Sequence, residues 1–164
     1  MRVLGIDPGL GRTGYAVVDG GAGKLRLIDA GRIDTEANTD IGLRLLQLSD
    51  VLASLINVHA PEVTALEQLF FSTNKRTAMR VAEARGVIIL VAARAGLRVA
   101  EYTPTQVKQA VCGHGGAGKQ QVARMVHALL SLEESRDDVA DACAVAVCHH
   151  HRARLGAALQ AARL

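Results

Sequence analysis

The chain has 164 residues, 49% hydrophobic and 21% charged, which suits one compact domain over residues 1–164 and excludes a disordered polypeptide. Two Phe, two Tyr and no Trp leave the core to aliphatic side chains, so an exposed aromatic becomes informative. The formal charge of +3 permits a polyanionic partner without requiring one. Met1-Arg2 leads straight into Val3-Leu4-Gly5-Ile6, an apolar run that reaches Asp7 too soon for a signal peptide. Residues 2–7, 15–19 and 25–33 read as strands separated by the glycine-rich turns 8–14 and 20–23, an antiparallel meander. Asn38-Thr39-Asp40 offers caps for a helix over 41–59, where Leu45, Leu48, Leu52, Leu55 and Ile56 recur at helical spacing until Ala60-Pro61.

Residues 63–67 form a short strand, 69–74 a loop, and 75–95 a long helix interrupted by Gly86 and closed by Gly96. Its second half is apolar nearly all round, which calls for burial at the centre of the domain or against a second copy of the chain. The longest apolar run, 87–93, is too short to cross a bilayer, so a cytoplasmic protein without membrane contact is expected. Residues 97–102 give a fifth strand, and Thr103 caps a helix that starts on Pro104 and runs to Cys112. The glycine-rich segment 113–118, expected to be flexible, precedes a helix over 119–132. A last helix starts at Asp137 or Asp138 and runs to His151, and the Ala-Arg-rich tail 152–164 is expected to be loosely ordered. The element order predicts an α/β fold, a five-stranded mixed sheet flanked by helices on both faces. Cys112, Cys143 and Cys148 give an odd count without a C-x-x-C pair, so reduced, mostly buried thiols are expected. Cys143 and Cys148 lie off the helical i, i+4 match, which argues against a metal site with His149-His150-His151.

The residues that can carry chemistry are acidic. Asp7 ends the first strand just before Pro8-Gly9, as either a turn aspartate that caps its own backbone or a carboxylate presented at the sheet edge. Glu67 ends the fourth strand, and strand ends are where open α/β sheets bind ligands. Asp138 and Asp141 stand one turn apart on a helix face, where they suit the helix dipole or, neutralised by a cation, a ligand set. If these elements converge, four carboxylates meet, and hard oxygen ligands of that kind suit Mg²⁺ or Mn²⁺ and metal-assisted phosphodiester hydrolysis. Gly113 to Lys119 fits G-x-x-x-x-G-K, but Gln120 follows where Ser or Thr is needed and a helix precedes it where a strand is needed, which rejects a nucleotide loop.

Leu4-Gly5-Ile6-Asp7-Pro8-Gly9 with Thr13-Gly14-Tyr15, then Leu66-Glu67-Gln68, Ala84-Arg85-Gly86, Gln106-Val107-Lys108-Gln109 and Asp138-Val139-Ala140-Asp141-Ala142 together resemble the signatures of RuvC Holliday junction resolvases. The resemblance implies a ribonuclease H-like fold, a homodimer, four-way junction DNA as substrate, and paired symmetric nicks made with two Mg²⁺ or Mn²⁺ ions per site in recombination and repair. It assigns Asp7, Glu67, Asp138 and Asp141 to the metals, leaving Asp137 as a helix cap. It places Lys108 and Lys119 near the scissile phosphate, with Lys119 counted among the catalytic groups, and Phe70 where a ring can stack on a base. Arg76 and Arg80 share a helix face that could grip phosphates, and branch-migration motor proteins are the implied partners. Two alternatives stand beside this reading. One is an actin-like nucleotide-binding domain, because Gly5-Ile6-Asp7-x-Gly9 with Thr13-Gly14 also resembles a first phosphate loop. The other is a relative of the same fold that binds junctions without cutting them or acts on RNA.

Overall fold

The computed structural model describes residues 1–21, 24–68, 75–132 and 136–161, with the backbone alone for Lys75 and Arg76. Three strands, β1 (Arg2–Asp7), β2 (Arg12–Gly21) and β3 (Lys24–Asp34), form an antiparallel meander. Then come α1 (Ile41–His59), β4 (Val63–Glu67), α2 (Lys75–Arg94), β5 (Arg98–Tyr102), α3 (Pro104–Cys112), α4 (Lys119–Leu130) and α5 (Asp137–Ala161). The five strands make one mixed sheet in the order β3-β2-β1-β4-β5, with β4 parallel to both β1 and β5. This is the expected α/β architecture.

Strand alternation sorts the core onto two faces. Val3, Ala16, Val18, Val63 and Ala65 pack against Val107, Val126 and Val145 of α3, α4 and α5. Leu4, Ile6, Val17 and Leu66 pack against Leu48, Leu52 and Ile88 of α1 and α2. Because β1 is covered on both sides, it reads as an unbroken apolar run rather than as alternation.

Local chemistry sets most element ends. The Asp40 carboxylate accepts from the N–H groups of Gly42 and Leu43 to start α1. Thr103 and Gln106 form a reciprocal capping box on α3. Gly113, at φ 83°, closes that helix. The glycine-rich segment behind it is pinned more firmly than its composition implies, since Ala117 is only 1% exposed within the core.

Two boundaries differ from the sequence reading by more than two residues. β2 starts at Arg12, because Gly14, taken for a turn residue, is paired with both neighbouring strands. α5 continues past His151 to Ala161, in a stretch of strong helix formers whose side chains from Arg152 onward are exposed. The second half of α2 is buried on one side only, through Ile88, Val91 and Ala92, and leaves Leu90 52% exposed. α1 has the length and mean hydropathy (1.4) to cross a membrane. It lies instead on the sheet through Leu48 and Leu52 and carries Arg44 and Asp50.

Candidate active site

Asp7 and Glu67 occupy the C-terminal ends of the adjacent parallel strands β1 and β4, whose preceding residues Ile6 and Leu66 are in register. The fully buried runs behind them fix both backbones, so each carboxylate emerges where the core ends. The β1–β2 turn is held by the Thr13 hydroxyl donating to the Gly9 carbonyl (2.6 Å) and by the Thr35 hydroxyl donating to the Leu10 carbonyl. Arg85 of α2 donates to the Glu67 carbonyl at 3.2 Å and pairs with Glu101 on β5, which ties the end of β4 down.

α5 brings Asp138 and Asp141 over these strand ends. It crosses β1 and β2 closely because two strand residues beneath it have no side chain. A Cβ on Gly5 would lie 2.3 Å from the Ala142 carbonyl oxygen, and one on Gly14 would lie 1.9 Å from that of Asp138. The Arg136 carbonyl accepts the first helical bonds, from Val139 and Ala140. Asp137 is therefore the first residue of the helix rather than the expected cap, and its carboxylate meets Lys119 at 3.4 Å.

The electrostatics mark one coupled cluster. Burial, then repulsion from Asp141, Glu67 and Asp138, pushes Asp7 up to about 7. Glu67 is raised by burial and by Asp141, against the pull of Lys108 and Lys119. Asp141 is raised by burial, although Lys119 lies 3.2 Å from it. The ammonium of Lys119 is itself held above its ordinary range, since Asp141 and Asp137 outweigh the effect of burial. Lys108 and Lys119 line a cavity of about 260 Å³ together with Glu67 and Asp141, floored by Val107, Val122 and Val145.

Carboxylate oxygens from three elements, coupled and partly buried, are a donor set that suits a hard divalent cation. As the side chains stand, no three metal-ligating groups among the described residues converge on one point. Lys119 draws Asp141 toward itself, and Arg32 of β3 lies 3.7 Å from Asp138.

Of the remaining sequence candidates, Arg80 is exposed and paired with Glu83 at 3.1 Å. Phe70, its neighbour Phe71 and the side chain of Arg76 lie outside the described residues. The Cys and His residues of α5 serve packing, as expected. Cys143 and Cys148 are buried thiols pushed up to about 12 by burial. His149 bonds the Tyr102 hydroxyl (2.6 Å), while His150 and His151 reach the carbonyls of Val18 and Ala110. Sequence reasoning missed Arg32 and Arg85. Arg85 stood in a quoted motif, whereas nothing local marks Arg32.

The family model for the crossover junction endodeoxyribonuclease RuvC matches residues 3–149. A protein of that name from Caldicellulosiruptor saccharolyticus is 50% identical over 152 residues, 91% of this chain and 92% of its own length. One from Syntrophomonas wolfei is 47% identical, covering 98% and 94%. The structure of Thermus thermophilus RuvC in complex with a Holliday junction substrate superposes with a TM-score of 0.90 at 37% identity, over 95% of this chain and 96% of that one. On the extent of these matches, the chain belongs to the RuvC family of crossover junction endodeoxyribonucleases.

Proposed function

We propose that this chain resolves four-way DNA junctions by paired symmetric nicks, with Asp7, Glu67, Asp138 and Asp141 as metal ligands. The observation that carries the reading is the gathering of Glu67, Asp138 and Asp141 around Asp7, at the ends of β1 and β4 and the start of α5, where all three raise the proton affinity of Asp7. The family is one of metal-dependent nucleases; a pair of Mg²⁺ or Mn²⁺ ions held by these residues would activate a water and neutralise the leaving 3′ oxygen.

The chain's own residues do the rest. Asp7 and Glu67 stand on rigid strand ends, so the position of the cluster is set before substrate arrives. Lys119 and Lys108 line the cavity beside Glu67 and Asp141, where they would meet a phosphodiester, and Lys119 would stabilise charge as it develops. Arg76 and Arg80 on α2 would hold flanking phosphates, and Phe70 would stack on an unpaired base. The pairing of Arg80 with Glu83 makes it the weaker of these contacts.

Paired nicks call for two sites, and we place them in a homodimer. Large apolar side chains exposed on the neighbouring helices α1 and α2, among them Leu43, Leu46, Met79 and Leu90, support that arrangement. A single cytoplasmic domain acting alongside branch-migration motor proteins completes the proposal. The test is incubation of a mobile four-way junction and a matched linear duplex with Mg²⁺ or Mn²⁺, comparing wild type with Asp7→Asn. Symmetric nicks in the junction alone, lost on chelation and in the variant while junction binding persists, are expected. Cleavage that survives Asp7→Asn would refute the assignment.

A further inference from the structure

The cluster contains a cation that the metal-binding reading does not use. Arg32, on the edge strand β3, has a side chain only 19% exposed. Its Nε lies 2.9 Å from Asp34 Oδ1, and one terminal nitrogen lies 3.7 Å from Asp138 Oδ2.

The strand register explains the approach. Asp7 pairs with Gly14, and Gly14 pairs with Arg32, so the three positions form one row across β1, β2 and β3. Directly opposed residues project to the same face of an antiparallel sheet. Arg32 therefore shares the face of Asp7, and the residue between them has no side chain. The first turn of α5 settles into that gap, with the Asp138 backbone directly over Gly14. Asp138 thus lies between the carboxylate cluster on one side and a guanidinium on the other. A guanidinium is a planar fork, and Asp34 fastens it at Nε, so it presents its remaining donors in a fixed direction.

We propose that Arg32 is a positioning residue: anchored by Asp34, it holds one carboxylate oxygen of Asp138 so that the other faces the metal-binding cluster of Asp7, Glu67 and Asp141. This inference rests on the metal-binding reading of those carboxylates. Charge and geometry pull in opposite directions here, which gives the idea a sign. As a bare charge, Arg32 repels a divalent cation, and its removal would tighten cation binding. As the group that orients a ligand, it strengthens binding, and its loss weakens it; partners of metal ligands are typically worth about 10- to 100-fold.

The experiment is a Mn²⁺ titration of the full chain without DNA, read by electron paramagnetic resonance of the free ion, alongside thermal melting in chelator. Wild type is compared with Arg32→Gln, Arg32→Lys, Asp34→Asn and Asp7→Asn. Arg32→Gln is expected to weaken Mn²⁺ binding by about tenfold, with partial recovery in Arg32→Lys. Asp34→Asn, which keeps the guanidinium but frees it, should weaken binding by a smaller factor. Unchanged or tighter binding in Arg32→Gln overturns the proposal, whatever happens to its melting temperature. Should Arg32→Gln fail to fold, Asp34→Asn carries the same test, because Asp34 lies on the exposed rim. A wild type that binds no Mn²⁺, or an Asp7→Asn variant that binds it normally, defeats the metal-binding reading itself and this inference with it.

Discussion

Gly14→Ala probes how the site is assembled without touching any charged group. The added Cβ would lie 1.9 Å from the Asp138 carbonyl oxygen, 2.5 Å from its carbonyl carbon and 3.2 Å from its Cβ. Backbone lies on both sides, so no flexible side chain can swing away. Restoring ordinary contact requires the first turn of α5 to retreat from the sheet by about 1.5 Å in an interior that resists such gaps. Overpacking of this kind costs about 1 to 3 kcal/mol, or a melting temperature lower by about 3 to 10 °C in a domain of this size. The same movement carries Asp138 out of place, and a misplacement of about 1 Å can cost on the order of 100-fold in rate. Single-turnover cleavage of a junction at saturating Mg²⁺ should therefore fall about 100-fold, with junction binding in chelator nearly intact. Gly156→Ala is the control, since that exposed helical position has open space around it. It should stabilise by up to about 1 kcal/mol and leave cleavage alone. A Gly14→Ala protein that melts and cleaves like wild type would mean that the sheet does not set the position of α5.

The protonation of Asp7 gives a second set of expectations. Its folded value of about 7 lies above the ordinary 3.8, so between these values the folded chain holds a proton that the unfolded chain releases. Stability therefore falls as pH rises through this window, and Asp7→Asn in chelator should stabilise the fold near pH 8 by on the order of a few kcal/mol at most, read as a higher melting temperature, and do little near pH 4. A melting temperature lowered by Asp7→Asn at the higher pH would contradict the repulsion. Protons and cations compete for the same oxygens, so the pH at which cleavage is half-maximal should move down as Mg²⁺ is raised; a midpoint independent of Mg²⁺ would separate Asp7 from the metal. Lys119→Ala should lower the cleavage rate by about 100-fold and change junction affinity far less, and equal losses in both would make Lys119 a plain DNA contact. Tyr102→Phe removes the 2.6 Å bond to His149, whose Nε2 is already buried without a partner. It should cost about 1 to 3 kcal/mol in a melt while sparing cleavage at permissive temperature.

Those residues also separate what could be read from the chain alone from what could not. Asp7 and Glu67 could be singled out because each ends an apolar strand run, although a turn cap and a solvated strand end accounted for them as well until the two were taken together; the cap before Pro104 and the rejection of a nucleotide loop were local readings. Gly14 was misread as part of a turn because a glycine in a strand looks like a turn until its opposite neighbour is known. That neighbour is the backbone of Asp138, far away in sequence. Arg32 was invisible for the same reason: an arginine near the end of an edge strand is ordinary, and only the row Asp7, Gly14, Arg32 gives it a place. The extension of α5 was missed because periodicity marks only helices that bury a face, and this one continues on propensity into solvent. The expectations for Phe70 and for the side chain of Arg76 fall outside the described residues.

The three aspartates at the start of α5 could all be explained by favourable placement at a helix N-terminus, a role that needs no catalysis. The structure divides them. Asp137 is 78% exposed and reaches sideways to Lys119, which is what dipole placement alone would produce. Asp138 and Asp141 are only 28% and 35% exposed, and although Asp141 also meets Lys119, at 3.2 Å, these two and not Asp137 raise the proton affinity of Asp7. A helix start gains nothing from a buried fourth carboxylate beneath it, and burying one there weakens the fold at neutral pH. Two glycines bring α5 close enough to produce that repulsion when any larger residue would have relieved it. Like charges drawn together in this way store strain that binding of a divalent cation would release, which supports the proposed metal-binding role.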